Sequence, residues 1–261
     1  MLGLALYDKE RNCIASKQDE KHIHLLADRE YQDGDHLVLE VRKPQYLRMK
    51  LDTGVEEAWV YAKAGTFVYP IPFGESRMPY ASGTFAGRYH IYDILSCEPM
   101  TPGWRDISTN PLDVRGETIL FPHCSASIET RDESIFAARN TIDGFIETNG
   151  HGEWPYTSWG DNEDPNAQIR IDFGRFIILH QLIINLRSDF PHDNYWKQAD
   201  IVFHDGERRT IRLMQSGEDQ SFDLDEKRSD SILLCNLRKD ENNPSPFPAL
   251  THWRVLGKDN E

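Results

Sequence analysis

The segment Ile169-Arg170-Ile171-Asp172-Phe173-Gly174 alternates apolar and charged residues and ends at a glycine. Because successive side chains of a strand point to opposite faces, this alternation predicts a half-buried β-strand. The apolar run from Leu182 to Leu186 indicates a buried strand that follows it. The stretch from Ile201 to Leu213 contains Asp205-Gly206 near its middle, which predicts a β-hairpin. These signals favour an all-β organisation for the second half of the chain.

The first half has a similar pattern, with apolar residues alternating from Leu37 to Val41 and again from Leu47 to Leu51. Turn sequences rich in Asp and Gly flank both runs, as expected for a meander of strands. Only Ser134 to Asn140 has a helical pattern. The sequence therefore predicts an all-β protein of two β-sandwich domains, residues 1–115 and 119–261, with residues 110–116 as a linker.

Composition excludes some partners. The 261 residues carry a formal net charge of −14, which opposes attraction to nucleic acid or to an anionic membrane surface. No apolar run approaches the roughly 18 residues of a membrane span, so we expect no membrane insertion. The first ten residues show no export signal, which predicts a cytoplasmic protein, or an extracellular one if the natural chain is longer at its start.

Four cysteines, Cys13, Cys97, Cys124 and Cys235, stand far apart and show no spacing typical of a zinc site. Free cysteine is among the residues most often buried in folded proteins. We therefore expect reduced and mostly buried thiols.

The segment from Arg187 to Lys197 is polar and aromatic and follows the predicted buried strand. Sugar recognition needs flat aromatic faces for the rings and charged or planar groups for the hydroxyls. The candidate ligand-binding residues here are Arg187, Asp189, His192 and Trp196, with Tyr195 beside them. Two alternatives remain: the tryptophan packs inward, or the charged residues form local ion pairs among themselves.

The order of motifs over residues 119–257 resembles the discoidin family, also called the coagulation factor V and VIII type C domain, which includes family 32 carbohydrate-binding modules. The motifs are Ala138-Arg139-Asn140-Thr141-Ile142-Asp143-Gly144, then Thr157-Ser158-Trp159, then Ile169 to Gly174, and a closing strand that reaches Gly257. The resemblance implies a galactose-binding-like jelly roll of eight strands, with a binding site in the loops at one end and usually no catalysis. Residues 1–115 lie outside it.

The resemblance also implies a structural calcium ion near the Asp-Gly loop, for which Asp143 is the matching carboxylate. The position at which the family has an acid near its last strand is His252 here, and imidazole is a poor ligand for calcium. The alternative is that Asp143 shapes the turn before Gly144 without a metal.

Two more loops are candidates for the binding end. Residues 151–159 contain Trp154 and Tyr156, which we expect to form an exposed aromatic platform, whereas Trp159 matches the family tryptophan that packs in the core. Residues 242–249 contain three prolines, which restrict the loop and could place Phe247 against the site. Alternatively, this loop only covers the end of the sandwich.

These residues favour a non-catalytic carbohydrate-binding protein that recognises a glycan through loops at one end of the C-terminal jelly roll. One alternative is a lyase or isomerase in which His192 or Tyr195 is the base and Arg187 neutralises a uronate carboxylate. A second alternative is an intracellular scaffold for a protein partner. No hydrolase, metalloprotease or phosphate-loop motif occurs in the sequence.

Overall fold

The structure, a computed structural model, describes residues 1–98, 103–147, 150, 152–188 and 193–260. The first half contains eight strands: β1 (Leu2–Tyr7), β2 (Cys13–Asp19), β3 (His22–Asp28), β4 (His36–Val41), β5 (Gln45–Lys50), β6 (Ala58–Ala62), β7 (Gly65–Pro70) and β8 (Tyr89–Cys97).

The second half contains nine strands: β9 (Arg105–Asp106), β10 (Leu120–Phe121), β11 (His123–Ala126), β12 (Trp159–Gly160), β13 (Ile169–Arg187), β14 (Trp196–Phe203), β15 (Arg208–Arg212), β16 (Gln220–Lys239) and β17 (Ala249–Asp259). Short 3-10 helices span Gly74–Arg77, Thr130–Asp132, Ser134–Phe136 and Ala138–Ile142. The predicted helical turn at residues 134–140 therefore consists of two short 3-10 helices. In the described part of the chain, no helix is long and apolar enough to span a membrane.

The strands form three antiparallel sheets. The first has the order β2-β1-β4-β7 and the second β10-β6-β5-β8-β3. The third has the order β12-β17-β13-β16-β14-β15, with β11 beside β13 and β9 beside β17. The prediction of an all-β fold is confirmed, and alternation along β4 and β5 places their apolar residues inward as the sequence indicated.

Two apolar cores result, one in each half, but the chain does not pass from one to the other at a single point. Ile107 packs in the second core and β9 pairs with β17, whereas Leu112 and Leu120 pack in the first. Residues 105–120 therefore contribute to both cores.

The prediction of a linker at residues 110–116 is wrong. Asn110, Leu112 and Asp113 are buried. Their polar groups are paired, since the Asn110 amide donates to the Pro122 carbonyl at 2.8 Å and Asp113 accepts the Cys124 N–H at 2.9 Å. Buried polar groups are stable only with such partners, so this segment is an integral part of the packing between the halves.

The four cysteines are unpaired, in agreement with reduced thiols. Cys124 is buried, Cys97 and Cys235 are half-buried, and Cys13 is exposed. The prediction that most of them are buried is therefore wrong: Cys13 begins β2 at the surface, Cys97 ends β8, and Cys235 lies within β16 with its sulfur 3.7 Å from the Arg208 guanidinium.

The third sheet places the ends of three strands together. β17 lies between β12 and β13 and is antiparallel to both, so that Ala249 pairs with Gly160 on one side and with Arg187 on the other. The last residues of β12 and β13 therefore meet the first residue of β17. The candidate site lies at this end.

Candidate functional site

A cavity of about 340 Å³, here called the first cavity, opens where β12 and β13 end and β17 begins. Its walls are residues 130–131, Phe136, residues 160–163, Arg187 and residues 247–249. The strand pairing described above explains why segments far apart in sequence converge here. Of the six predicted ligand-binding residues, Arg187 is the one that the described structure places on this wall.

Arg187 is nearly buried, with 5% of its surface exposed. Its guanidinium donates to the Ser158 hydroxyl at 3.2 Å and pairs with the Asp193 carboxylate at 3.4 Å, and it lies 5.9 Å from the centre of the Phe136 ring. Burial lowers the pKa of Arg187, while Asp193 favours the charged form. Its Nε, like the hydroxyl of neighbouring Ser188, is buried without a hydrogen-bond partner. The cationic group is thus held in place by contacts on several sides.

Asp161 provides the acidic part of the wall. One carboxylate oxygen accepts the Trp196 indole N–H at 3.1 Å, and the other accepts the Glu163 N–H at 3.0 Å. Burial raises the pKa of Asp161. Sequence reasoning missed residues 161–163, although Asp-Asn after Gly160 is a recognisable turn signal.

Two turns contain four non-glycine residues with left-handed backbone angles, and three of these residues, Arg131, Asn162 and Glu163, line the first cavity. Arg131 and Asp132 have φ of 53° and 54°, and Asn162 and Glu163 have φ of 49° and 60°. The two turns meet, because the Arg131 N–H donates to the Asn162 side chain at 3.4 Å. Such angles cost free energy for Arg and Glu and concentrate at functional sites in proteins.

Phe247 supplies an exposed ring, with 49% of its surface accessible, to the wall of the first cavity. Its loop is held by Asn194, whose amide donates to three backbone carbonyls, including that of Ser245 at 2.7 Å. Asn243 in turn donates to the Asp193 carbonyl at 2.9 Å. The sequence left two roles open for this loop, and Phe247 lies on the wall of the first cavity.

The prediction that Trp196 presents a binding face is wrong. Its side chain has no exposed surface and packs against Trp159 with ring centres 5.7 Å apart. Trp159 is also fully buried, as the sequence predicted. The inward-packing alternative for Trp196 is the correct one, and its indole N–H contacts the cavity-wall residue Asp161.

Trp154 and Tyr156 do not lie on the wall of the first cavity. Trp154 is half-buried at the junction of the halves, where its backbone N–H donates to the Met78 carbonyl at 3.0 Å and its ring meets the Phe145 ring edge to face at 5.4 Å. Tyr156 is half-buried against Gly150. Trp154 and Tyr156 therefore do not form the exposed aromatic platform that the sequence predicted beside Arg187.

Asp189 and His192 lie outside the described residues. Tyr195, the other candidate base, is half-buried and packs against the second core. The described structure therefore brings together neither the proposed lyase groups nor the full predicted loop.

Asp143 lies in the turn before Gly144, where its carboxylate accepts the Phe145 N–H at 2.9 Å. Burial raises the pKa of Asp143 to about 7. His252 lies opposite: its Nε2 accepts the Gly144 N–H at 3.2 Å, and burial lowers the pKa of this imidazole to about 4.

These two side chains do not supply the pair of acids that the resemblance implies: calcium takes oxygen ligands from carboxylates, carbonyls and water, and His252 offers nitrogen. The site offers one carboxylate that burial tends to protonate, and a neutral imidazole whose nitrogen already accepts a backbone N–H. Among the residues described, no group of three or more His, Cys, Asp or Glu side chains is arranged to hold a metal ion. The structure shows Asp143 in the turn-forming role that the sequence left as the alternative.

No family model matches the chain, and no curated protein matches it. Solved structures do match. A family 32 carbohydrate-binding module of C. perfringens NanJ, in complex with galactose, aligns with TM-score 0.39 and 15% identity over 51% of this chain and 91% of its own. A fucose-binding module of Streptococcus pneumoniae aligns with TM-score 0.38 and 16% identity over 58% and 96%.

A fucolectin from striped bass serum, Morone saxatilis, aligns with TM-score 0.45 and 10% identity over 92% of this chain and 86% of its own. These structures are of the kind named by the sequence resemblance, carbohydrate-binding modules and a lectin. At such identities and TM-scores the similarity assigns neither a family nor a ligand to this chain.

Proposed function

We propose that this protein is a non-catalytic carbohydrate-binding protein and that its first cavity receives one unit of a glycan. The observation that carries the proposal is the meeting of Arg187, Asp161 and the exposed Phe247 ring around one cavity of about 340 Å³. That volume lies within the range of small-molecule sites, roughly 300 to 1,000 Å³.

The three groups match the chemistry of a saccharide. Arg187 is a fixed donor for hydroxyl oxygens, and Asp161 is an acceptor for hydroxyl protons. The Phe247 ring offers an apolar face to the C–H groups of a sugar ring. Because Asp193 already balances the Arg187 charge, a neutral sugar suits the cavity better than a uronate or sialate.

Binding is a better interpretation than elimination chemistry. A lyase needs a cation that is free to neutralise the substrate carboxylate and a base within hydrogen-bond reach. Arg187 is paired with Asp193, and of the two candidate bases Tyr195 does not line the first cavity, whereas His192 lies outside the described residues. Incubation with uronate polysaccharides, followed by absorbance of an unsaturated product, tests the lyase alternative directly.

The test of binding is a glycan array on the whole chain followed by calorimetry. Galactose and fucose, the sugars named for two of the similar structures, are suitable first ligands. We expect dissociation constants in the micromolar to millimolar range, since a single sugar unit buries few atoms. Phe247→Ala should weaken binding about tenfold through loss of the ring.

Phe73→Ala is the matched control, because Phe73 is 47% exposed but lies in the first half, away from the first cavity. Equal binding by the two variants would remove Phe247 from the site. A folded protein that binds no glycan on the array would overturn the proposal and favour a scaffold for a protein partner.

A further inference from the structure

A second cavity, of about 330 Å³, lies at the junction of the two halves. The first half contributes Tyr69, Tyr80 and residues near Gly74–Arg77, and the second half contributes residues between 129 and 139. No residue that we assigned to glycan binding lies on its wall. It is nearly equal in volume to the first cavity.

The two cavities share one wall. Thr130, Arg131 and Phe136 line the first cavity, whereas Glu129, Asp132 and Glu133 line the second. The consecutive residues Arg131 and Asp132, both left-handed, therefore contribute to opposite sides of the same segment. A ligand long enough to pass this wall can contact both cavities.

Hydrogen bonds hold the shared wall, both to the first half and within residues 129–138. The Ser134 N–H and hydroxyl donate to the Glu75 carboxylate at 2.8 and 2.7 Å, which fixes the wall to the first half. Glu129 accepts the Ala138 N–H at 2.7 Å, and Arg131 forms two hydrogen bonds with Glu133 at 2.7 and 2.8 Å. Because the wall is already ordered, less conformational entropy is lost when a ligand binds.

The second cavity has an aromatic and hydroxyl-bearing floor. The Tyr80 hydroxyl lies 3.1 Å from that of buried Tyr69, and the Arg139 guanidinium lies 4.9 Å from the centre of the Tyr80 ring. Arg139 donates to the Asp113 and Pro111 carbonyls at 2.9 and 3.0 Å and to the Asn140 side-chain oxygen at 3.1 Å. The ring and hydroxyls are groups that recognise sugars.

Charge restricts the class of ligand. The wall carries five carboxylates and two guanidiniums, namely Glu75, Asp113, Glu129, Asp132 and Glu133 against Arg115 and Arg139. An anionic sugar would meet repulsion here, in addition to that of the net charge of −14. Neutral sugar units suit this surface.

We propose that the second cavity is a further subsite for the same glycan, so that the protein binds a neutral oligosaccharide across both halves. This inference rests on the proposed function of the first cavity. It gives the first half a part in ligand binding, through Tyr80 and the residues around Ser76.

The test is calorimetry with mono-, di-, tetra- and hexasaccharides of the sugar selected by the array. The wild type should bind the longest neutral chains at least about tenfold more tightly than the monosaccharide, because the second contact is made within one complex. Ser76→Trp should abolish this gain and leave monosaccharide affinity unchanged, since the exposed Ser76 lines only the second cavity.

Ser76→Ala is the matched control: both variants lose the hydroxyl that accepts the Phe73 N–H at 2.9 Å, but only the indole fills the cavity. Equal affinity for every chain length, or equal loss in the two variants, would overturn the second subsite while leaving the first intact. Tighter binding of uronate-containing chains than of neutral ones would also overturn it. Absence of binding at any length would remove both proposals.

Discussion

The indole N–H of Trp196 donates to a carboxylate oxygen of Asp161 at 3.1 Å, so a fully buried core residue positions a residue of the cavity wall. Trp196 itself cannot touch a ligand. Its effect on binding must pass through the orientation of Asp161.

Trp196→Phe should therefore weaken both stability and binding. Loss of the indole N–H leaves a largely buried carboxylate with one donor fewer, which costs about 1–3 kcal/mol of unfolding free energy. Urea unfolding and calorimetry with the array-selected sugar measure the two effects. Trp253→Phe is the control, because buried Trp253 donates to the Thr141 hydroxyl at 3.0 Å and does not line the first cavity. Equal losses of sugar affinity in the two variants would contradict this role of Asp161.

Asp143→Asn should stabilise the protein at high pH. Burial raises the pKa of Asp143 in the folded state to about 7, against 3.8 as the ordinary value. Stability from this group is present below pH 4 and is lost as the pH rises through 7, by up to about 4 kcal/mol. Asparagine keeps an oxygen for the Phe145 N–H without the charge. Urea unfolding at pH 8 should show the variant as the more stable protein, and the difference should vanish near pH 4.

His252 should lower the stability of the protein at acidic pH, whereas Asp143 lowers it at high pH. Burial lowers its folded-state pKa to about 4 from 6.5. The unfolded chain therefore takes up a proton first, and stability is lost as the pH falls from about 6.5 to 4, by up to about 3 kcal/mol. His252→Gln retains an acceptor for the Gly144 N–H but does not titrate. Relative to wild type, this variant should gain unfolding free energy between pH 6.5 and 4; a constant difference would show that His252 does not titrate abnormally.

The sequence predicted where the strands lie better than it predicted which aromatic side chains point inward. Alternation works along β4 and β5, where each strand keeps one register. The sequence interpretation of Trp196 rests on loop composition instead, whereas Trp196 begins β14, which has register shifts between Trp196 and Gln198 and again before Asp200. Each bulge moves the following side chains to the other face, so residue parity could not show that Trp196 points inward.

The candidate site was predicted in part for a related reason. Arg187 and Phe247 have local signals, namely the end of an apolar strand and a proline-rich loop. Their meeting with Asp161 depends on Ala249 pairing with both Gly160 and Arg187 across the sheet. Such long-range pairing leaves no local pattern, and residues 161–163 were therefore missed.

Calcium should have no effect on the protein. Burial raises the pKa of the Asp143 carboxyl to about 7, and Nε2 of His252 already accepts the Gly144 N–H. We expect the same melting temperature in EDTA and in millimolar calcium chloride at pH 7.5. A ligand that binds only the folded state raises the melting temperature, so a calcium-dependent rise would show that backbone oxygens complete a metal site here.

Gly174→Ala should be strongly destabilising. Gly174 ends the first part of β13 with φ of 70°, and a Cβ there would lie 2.3 Å from the Phe121 ring. Phe121 belongs to β10, which pairs with β6 of the first half, so the clash would disturb the contact between the two halves. Left-handed backbone alone costs about 1–2 kcal/mol for an alanine, and the overlap must add to it.

The variant Gly206→Ala measures the cost of left-handed backbone without the cost of steric overlap. Gly206 has φ of 83° in the hairpin turn, with nothing within 4 Å of the added Cβ. Urea unfolding should therefore show a loss of about 1–2 kcal/mol for this variant, from backbone strain alone. The loss for Gly174→Ala should exceed it clearly. Equal losses would mean that Phe121 moves aside freely and that close packing at Gly174 does not contribute to joining the halves.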